Sequence, residues 1–182
     1  MALALSRSTI VLEMTQSSSA PVAPPSYPRI FERSLLGHRS DPIGFTVERG
    51  AIRFFAETIG ETNPICLDER AARAAGYPDI VAPPTYAIVI EMLTYRQPSM
   101  DGRKPMLDLI NCDQRRLLHG EERYDYAGLI FAGDQVEVSS LVRAFEDKKG
   151  GALELAYVDT TIAHAARGIL VTASRCLIHQ LS

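Results

Sequence analysis

Apolar residues in the first part of the chain recur with a period typical of helices. A short strand is expected around Phe45, ending at Thr46 or Val47, and an amphipathic helix follows it and ends at Gly60. The apolar stripe of that helix is formed by residues at i, i+3, i+4 and i+7, namely Ile52, Phe55, Ala56 and Ile59. One face of the helix is therefore expected to pack against a core.

Two more helices are predicted before residue 97. Asp68 is placed to cap the N-terminus of a short helix that ends at Gly76. Over residues 85–95 apolar side chains occur on nearly every side, which is typical of a buried helix. Pro83 and Pro84 suit the first turn of this helix, where a missing N–H costs little.

Beyond residue 97 the apolar period changes to two, which predicts strands. One strand is expected over residues 117–126, and three more alternate apolar and polar residues around Val138, Leu155 and Val171. A hairpin loop is predicted at residues 147–151 and a second turn at 167–168. Strands in series after one apolar helix predict an α+β fold with an antiparallel sheet.

Composition narrows the class of protein. The 182 residues suit one domain, and 46% are hydrophobic, which is enough for a sizeable core. The formal net charge is −3 without a basic block, so neither nucleic acid nor an anionic membrane is an expected partner. The three cysteines are scattered, which predicts neither a disulfide framework nor a zinc site and favours a reducing cytoplasm.

The first 28 residues are predicted to form a flexible extension ahead of a domain at 29–182. Residues 1–14 are apolar but too short to cross a membrane, and their arginine lies inside the apolar stretch, which weakens a signal-peptide interpretation. Residues 15–28 have the serine- and proline-rich composition of a linker. Met14 is an alternative start, which would place residues 1–13 outside the native protein.

Two motifs suggest a family. Gly60-Glu61-Thr62-Asn63-Pro64-Ile65-Cys66 is followed, after the short helix, by Val81-Ala82-Pro83-Pro84-Thr85. This order resembles the MaoC-like hydratase/dehydratase family, whose hot-dog fold wraps an antiparallel sheet around a central apolar helix. Further similar pieces are Leu118-His119-Gly120-Glu121 and Ala132-Gly133-Asp134, and they resemble the N-terminal dehydratase half of fused or heterodimeric members. The resemblance covers roughly residues 30–180.

The resemblance implies an acyl-thioester chemistry with a carboxylate and an imidazole. In active members the first motif carries an aspartate and a histidine that activate water for addition to an enoyl thioester. Here those positions hold Glu61 and Cys66. Glutamate reaches one methylene farther, and a thiol, with an ordinary pKa of about 8.5, substitutes poorly for imidazole. Many active relatives have His-Gly at Pro83-Pro84, where proline offers no N–H to a thioester oxygen.

Other site residues follow from the same resemblance. Substrate binding is expected from Asn63, Pro84, Thr85 and Tyr86, and His119 is a further catalytic candidate. Plainer interpretations stand beside these: a buried apolar role for Cys66, a turn role for Asn63 and a core position for Tyr86. The remaining histidines, His38, His164 and His179, lie at positions expected to be exposed.

Three hypotheses on function remain open at this point. The chain is the non-catalytic, tunnel-forming half of an (R)-specific enoyl-thioester hydratase/dehydratase, a homodimeric enzyme based on Glu61 with His119, or a hot-dog thioesterase or acyl-thioester-binding protein. The expected ligand is an acyl-CoA or acyl carrier protein thioester, with a second hot-dog subunit as partner. Arginines placed to meet its phosphates are Arg115, Arg116 and Arg123. No cofactor or metal is implied.

Overall fold

Five antiparallel strands form one sheet in a computed structural model that describes residues 27–181, apart from 101, 103 and the side chains of 98–100. The spatial order is β1-β3-β4-β5-β2, so that β1 and β2 form the two edges. The strands are β1 (Ile43–Thr46), β2 (Leu117–Tyr126), β3 (Gln135–Lys148), β4 (Leu153–His164) and β5 (Gly168–Gln180). The predicted α+β fold with an antiparallel sheet is confirmed.

Four α-helices accompany the sheet, and all four lie between β1 and β2 in the chain. They are α1 (Arg49–Thr58), α2 (Glu69–Ala74), α3 (Ala87–Met100) and α4 (Met106–Leu109). Short 3-10 helices occur at Arg33–Leu35, Pro64–Cys66, Pro84–Tyr86 and Lys149–Gly151. The predicted cap of α2 is present, because the Asp68 carboxylate accepts a hydrogen bond from the Ala71 N–H at 2.8 Å.

Helix α1 buries part of its predicted stripe. Ile52 and Ala56 are fully buried, Phe55 is half-buried, and Ile59 lies beyond the helix with 48% of its surface exposed. Gly60 then takes a φ of +73°, a left-handed conformation that glycine adopts without a Cβ clash. The helix therefore ends at Thr58, just before the glycine that the sequence predicts to end it.

Helix α3 is not buried on all sides, so that prediction was wrong. Ala87 and Ile90 face the core of the protein, whereas Met92 is 56% exposed and Leu93 44% exposed. The sheet covers only one side of this helix, and a stretch that is apolar all round does not specify which side is covered. Met92 borders the cavity described below, and Leu93 leaves an apolar side chain on the outer face of α3.

His179 is buried, which corrects its predicted exposure. Its ring is 0% exposed, stacks on Phe31 at 4.1 Å between centroids, and accepts a hydrogen bond from the Asp113 N–H at 3.0 Å. Glu154, also 0% exposed, lies beside it and accepts from the N–H groups of Ile30 and Phe31 at 2.8 and 3.1 Å. The segment before β1 is thereby fastened to β4 and β5.

The predicted N-terminal extension lies outside the described residues, except for residues 27 and 28. Its flexibility and the alternative start at Met14 stay predictions. Within the described part of the chain, no helix combines the length and apolar character needed to cross a bilayer.

Candidate active site and acyl cavity

The loop after α1 holds the first motif. The Glu61 carboxylate accepts hydrogen bonds from the N–H groups of Thr62 and Asn63 at 2.9 and 2.8 Å. The Asn63 side chain accepts from the Ile65 N–H at 3.3 Å and caps the 3-10 helix that begins at Pro64. Both polar side chains thus hold the loop in shape, and one oxygen of Glu61 is already engaged by backbone donors.

Cys66 lies behind this loop in a small apolar cluster. It is 5% exposed and packs with Ala56 and Val81. Burial and the nearby charge of Glu61 raise the pKa of its thiol. The thiol is therefore neutral near pH 7, without the proton-accepting capacity of the imidazole that active relatives carry here.

The second motif begins the central helix. Pro84 opens the 3-10 turn that leads into α3, and its carbonyl accepts a hydrogen bond from the Tyr126 hydroxyl on β2. Pro84 and Thr85 are exposed, whereas Tyr86 is fully buried with its ring edge-on to Phe55 at 5.5 Å. The core interpretation of Tyr86 is therefore confirmed.

A cavity of about 1060 Å³ lies elsewhere, between α3 and the sheet. Its walls come from α3, α4, the segment before β1 and all five strands. Apolar side chains form much of the lining, and examples are Ile88, Tyr95, Met106, Val138, Val158 and Leu177. The volume is that of a site for a small-molecule ligand or the chain of a larger one.

The predicted site residues divide between these two places. His119, an exposed residue of β2, is the one that lines the cavity. The other six do not contribute to the lining, and they are Glu61, Asn63, Cys66, Pro84, Thr85 and Tyr86. The motif loop and the cavity are thus two separate features of the chain.

A charged cluster inside the cavity was missed by the sequence analysis. Arg175 of β5 lies 3.1 Å from Glu91 of α3, measured from Nη2 to Oε2, and its Nε donates to the Glu122 carboxylate of β2 at 3.2 Å. The Tyr124 hydroxyl donates to the same oxygen of Glu122 at 2.6 Å. Glu91 is only 6% exposed, so the pair that it forms with Arg175 is buried.

The surroundings of Glu91 and Glu122 shift the pKa values of their carboxyl groups in opposite directions. Burial raises the pKa of Glu91, although the charge of Arg175 opposes the shift. Burial also works against ionisation of Glu122, but its hydrogen bonds from Tyr124 and Arg175 prevail and lower the pKa. A single carboxylate among the apolar residues of the predicted central helix was the signal in the sequence that would have found Glu91.

The three arginines expected to meet phosphates are exposed and have carboxylate neighbours. Arg115 donates to Asp113 at 3.0 Å, and Arg116 lies 3.9 Å from the same side chain. Arg123 donates to Asp125 at 2.8 Å. Their role toward a carrier stays a prediction. Among the described residues, no three His, Cys, Asp or Glu side chains are grouped closely enough to hold a metal ion.

Comparison with known proteins decides the family. A profile described as "FAS1-like, dehydratase domain region" matches residues 34–172, which is more than half of the chain. The chain belongs to the MaoC-like hydratase/dehydratase family. A UPF0336 protein of Streptomyces coelicolor is 36% identical over 120 residues, covering 65% of this chain and 76% of the relative.

Solved structures of similar fold establish the hot-dog architecture. The truncated HadBC complex, a 3R-hydroxyacyl-ACP dehydratase of Mycobacterium tuberculosis, contains a chain that is 19% identical with a TM-score of 0.64, over 79% of this chain and 96% of that one. A MaoC-like dehydratase of Rhodospirillum rubrum is 17% identical with the same TM-score of 0.64, over 85% of this chain and 99% of that one. The hot-dog fold expected of this MaoC-like chain is therefore confirmed.

Proposed function

We propose that this MaoC-like chain is the substrate-binding half of an (R)-specific enoyl-thioester hydratase/3-hydroxyacyl-thioester dehydratase. The observation that carries the proposal is the cavity of about 1060 Å³ between α3 and the sheet, in a chain whose two catalytic positions are substituted. The cavity accommodates the acyl group, and a second hot-dog subunit contributes the aspartate–histidine pair.

The state of the motif loop supports a non-catalytic role. Hydration needs a carboxylate and an imidazole that together position and deprotonate one water molecule. Glu61 instead binds two backbone N–H groups of its own loop, and Cys66 is buried with a raised pKa. This loop therefore offers a stable turn without a matched acid–base pair.

Two surfaces of the chain suit a second hot-dog subunit. The outer face of α3 presents Leu93 to solvent, and an apolar side chain of this kind gains from being covered. Strand β2 is a ten-residue edge strand, and eight of its residues are exposed. An unpaired edge of this length is a template for pairing with another strand.

The first test is hydration of crotonyl-CoA, followed by the loss of enoyl absorbance. The purified chain alone is expected to give no turnover, and turnover is expected after addition of a hot-dog subunit that carries the aspartate–histidine pair. Full hydratase activity of the isolated chain, abolished in Glu61→Gln, would overturn the proposed role. Release of free thiol from an acyl-CoA would indicate a thioesterase instead.

Binding of a long acyl chain is tested separately, because it does not require catalysis. The purified chain is expected to bind octadecanoyl-CoA, and Ile88→Trp, which fills the cavity from α3, is expected to weaken binding at least about tenfold. Ile59→Trp is the matched control, since Ile59 is an exposed isoleucine outside the cavity. Equal weakening in both variants would contradict the placement of the acyl chain.

A further inference from the structure

The wall of the cavity formed by the sheet carries a polar band in its middle, with an apolar side chain on either side of it. One cross-strand row contains Ser140 and Thr160, and the next contains Val158, Arg175 and Glu122. These rows are about 7 Å apart, because strands rise about 3.3 Å per residue. The rows that flank them contribute the apolar side chains of Val138 on one side and Leu177 on the other, and His119 lies beside Leu177 on β2.

Glu91 faces this polar band from the opposite wall of the cavity. Its Oε2 lies 3.1 Å from Arg175 Nη2, but its Oε1 is buried and has no hydrogen-bond partner among the described residues. The side chain is 94% buried and lines the cavity. A buried carboxylate oxygen without a partner is costly, so a hydrogen-bond donor at this place would be stabilising.

The chemistry of the cluster selects among polar groups. A second carboxylate would meet Glu91 and Glu122 with like charge, and a ketone could accept from Ser140 or Thr160 but would leave Oε1 of Glu91 unpaired. An ammonium group would bring a further ion into an already buried cluster, with a large desolvation cost. A hydroxyl group is neutral and donates, and it therefore satisfies Oε1 of Glu91 without adding charge.

We propose that the cavity is selective for acyl chains that carry a hydroxyl group part-way along their length, and that Glu91 is the residue that recognises it. Val138 and Leu177, on either side of the polar band, contact the methylene segments before and after the hydroxyl-bearing carbon. The inference rests on the proposed function, because it names the class of acyl group that the substrate-binding half accepts.

The test compares octadecanoyl-CoA with a panel of its isomers that carry one hydroxyl at successive mid-chain carbons. Affinities for the purified full-length chain are measured by isothermal titration calorimetry. At least one isomer is expected to bind about tenfold more tightly than the unsubstituted chain, since an unhydroxylated ligand leaves Oε1 of Glu91 unpaired.

Variants of Glu91 connect the preference to this side chain. Glu91→Leu is expected to abolish the preference and to retain binding of octadecanoyl-CoA. Glu91→Gln keeps the shape of the side chain and is expected to reduce the preference by at least about threefold, because hydrogen bonds to a charged acceptor are stronger than those to a neutral one. The matched control is Glu121→Gln, a carboxylate on β2 outside the cavity lining, which is expected to leave the preference unchanged.

The possible outcomes distinguish a failure of the selectivity for hydroxylated chains from a failure of the substrate-binding role. Equal affinity for all the thioesters overturns the selectivity and leaves the substrate-binding role intact. Failure of every thioester to bind overturns the substrate-binding role and the selectivity with it. A preference that survives Glu91→Leu overturns the assignment to Glu91, and the Gln variant decides the matter if the Leu variant does not fold.

Discussion

Gly120 occupies a place on β2 where a side chain would not fit without movement. The pairing of β2 with β5 shifts register between His119 and Glu121, and a Cβ at residue 120 would lie 2.5 Å from Cδ1 of Ile178. The nearest atom is the end of a flexible side chain, so an alanine is accommodated by a shift of Ile178.

Gly120→Ala is expected to lower the free energy of unfolding by about 1 kcal/mol, since the added methyl group displaces Ile178. Urea unfolding followed by circular dichroism measures the change. Gly44→Ala is the matched control, because Gly44 is also a strand glycine and has open space where the Cβ would stand. A loss of equal size in both variants would show that the cost belongs to strand glycines in general.

The environment of some single residues could be predicted from the sequence alone, and that of others could not. Cys66 was predicted to be buried from its small apolar character, and it is. Glu91 was overlooked, because its role depends on Arg175, which is 84 positions away in the chain, and on a cavity that forms only when α3 lies over the sheet. The roles expected for Glu61, Cys66 and His119 stay predictions.

At the scale of elements, His179 shows how β5 and the N-terminal segment depend on each other. The ring packs on Phe31 and lies 4.0 Å from Glu154, between Nδ1 and Oε2, and burial lowers the pKa of the imidazole. The neighbouring charge of Glu154 opposes this shift without cancelling it. The neutral ring is therefore the form that the folded protein favours.

Stability is expected to fall in mildly acidic solution for this reason. An unfolded histidine has a pKa of about 6.5, and His179 has a lower one in the folded protein, so the unfolded state binds the proton more readily. The contribution of the buried ring is thus present above about pH 6.5 and is lost as the pH falls below that value. Urea unfolding at pH 7.5 and pH 5.5 measures the loss.

His179→Gln separates this effect from those of other titrating groups. Glutamine retains an oxygen that can accept from the Asp113 N–H but does not titrate, so a smaller loss of stability between the two pH values is expected. His164→Gln is the control, since His164 is a half-buried histidine on β4. A pH dependence that is unchanged in His179→Gln would contradict the explanation.

The bounds of helices and strands could be predicted from the sequence more closely than the burial of individual residues. Strand β2 spans the predicted residues, and α1 ends before the predicted Gly60. Period and turn residues are local properties, which explains this agreement. Burial of His179 and exposure of Leu93 were not predicted, because each depends on which distant element covers that face.

At the scale of the whole molecule, the outer face of α3 is the surface on which the proposed second subunit can be tested. Leu93 is 44% exposed and does not line the cavity, so its replacement leaves the acyl site in place. Leu93→Lys is expected to weaken association of the chain with the second hot-dog subunit at least about tenfold, because burying a leucine contributes roughly 1.5–3 kcal/mol. Sedimentation velocity over a range of concentrations measures the change.

Phe54→Lys is the control for this experiment. Phe54 is a more exposed apolar residue, at 72%, and belongs to α1 instead of α3. Association is expected to be unchanged in this variant. Dissociation by Phe54→Lys with no effect of Leu93→Lys would place the interface on α1.

Binding of a ligand in the cavity beneath α3 would also raise the stability of the folded protein. An occupant would supply contacts that α3 lacks where the cavity separates it from the sheet, and a ligand that binds only the folded state stabilises it by mass action. At a free concentration of one hundred times the Kd this amounts to about 2.7 kcal/mol. Under the proposed function, the lifetime of the protein in the cell would rise and fall with the supply of acyl thioesters, so that its abundance follows that of the proposed substrate.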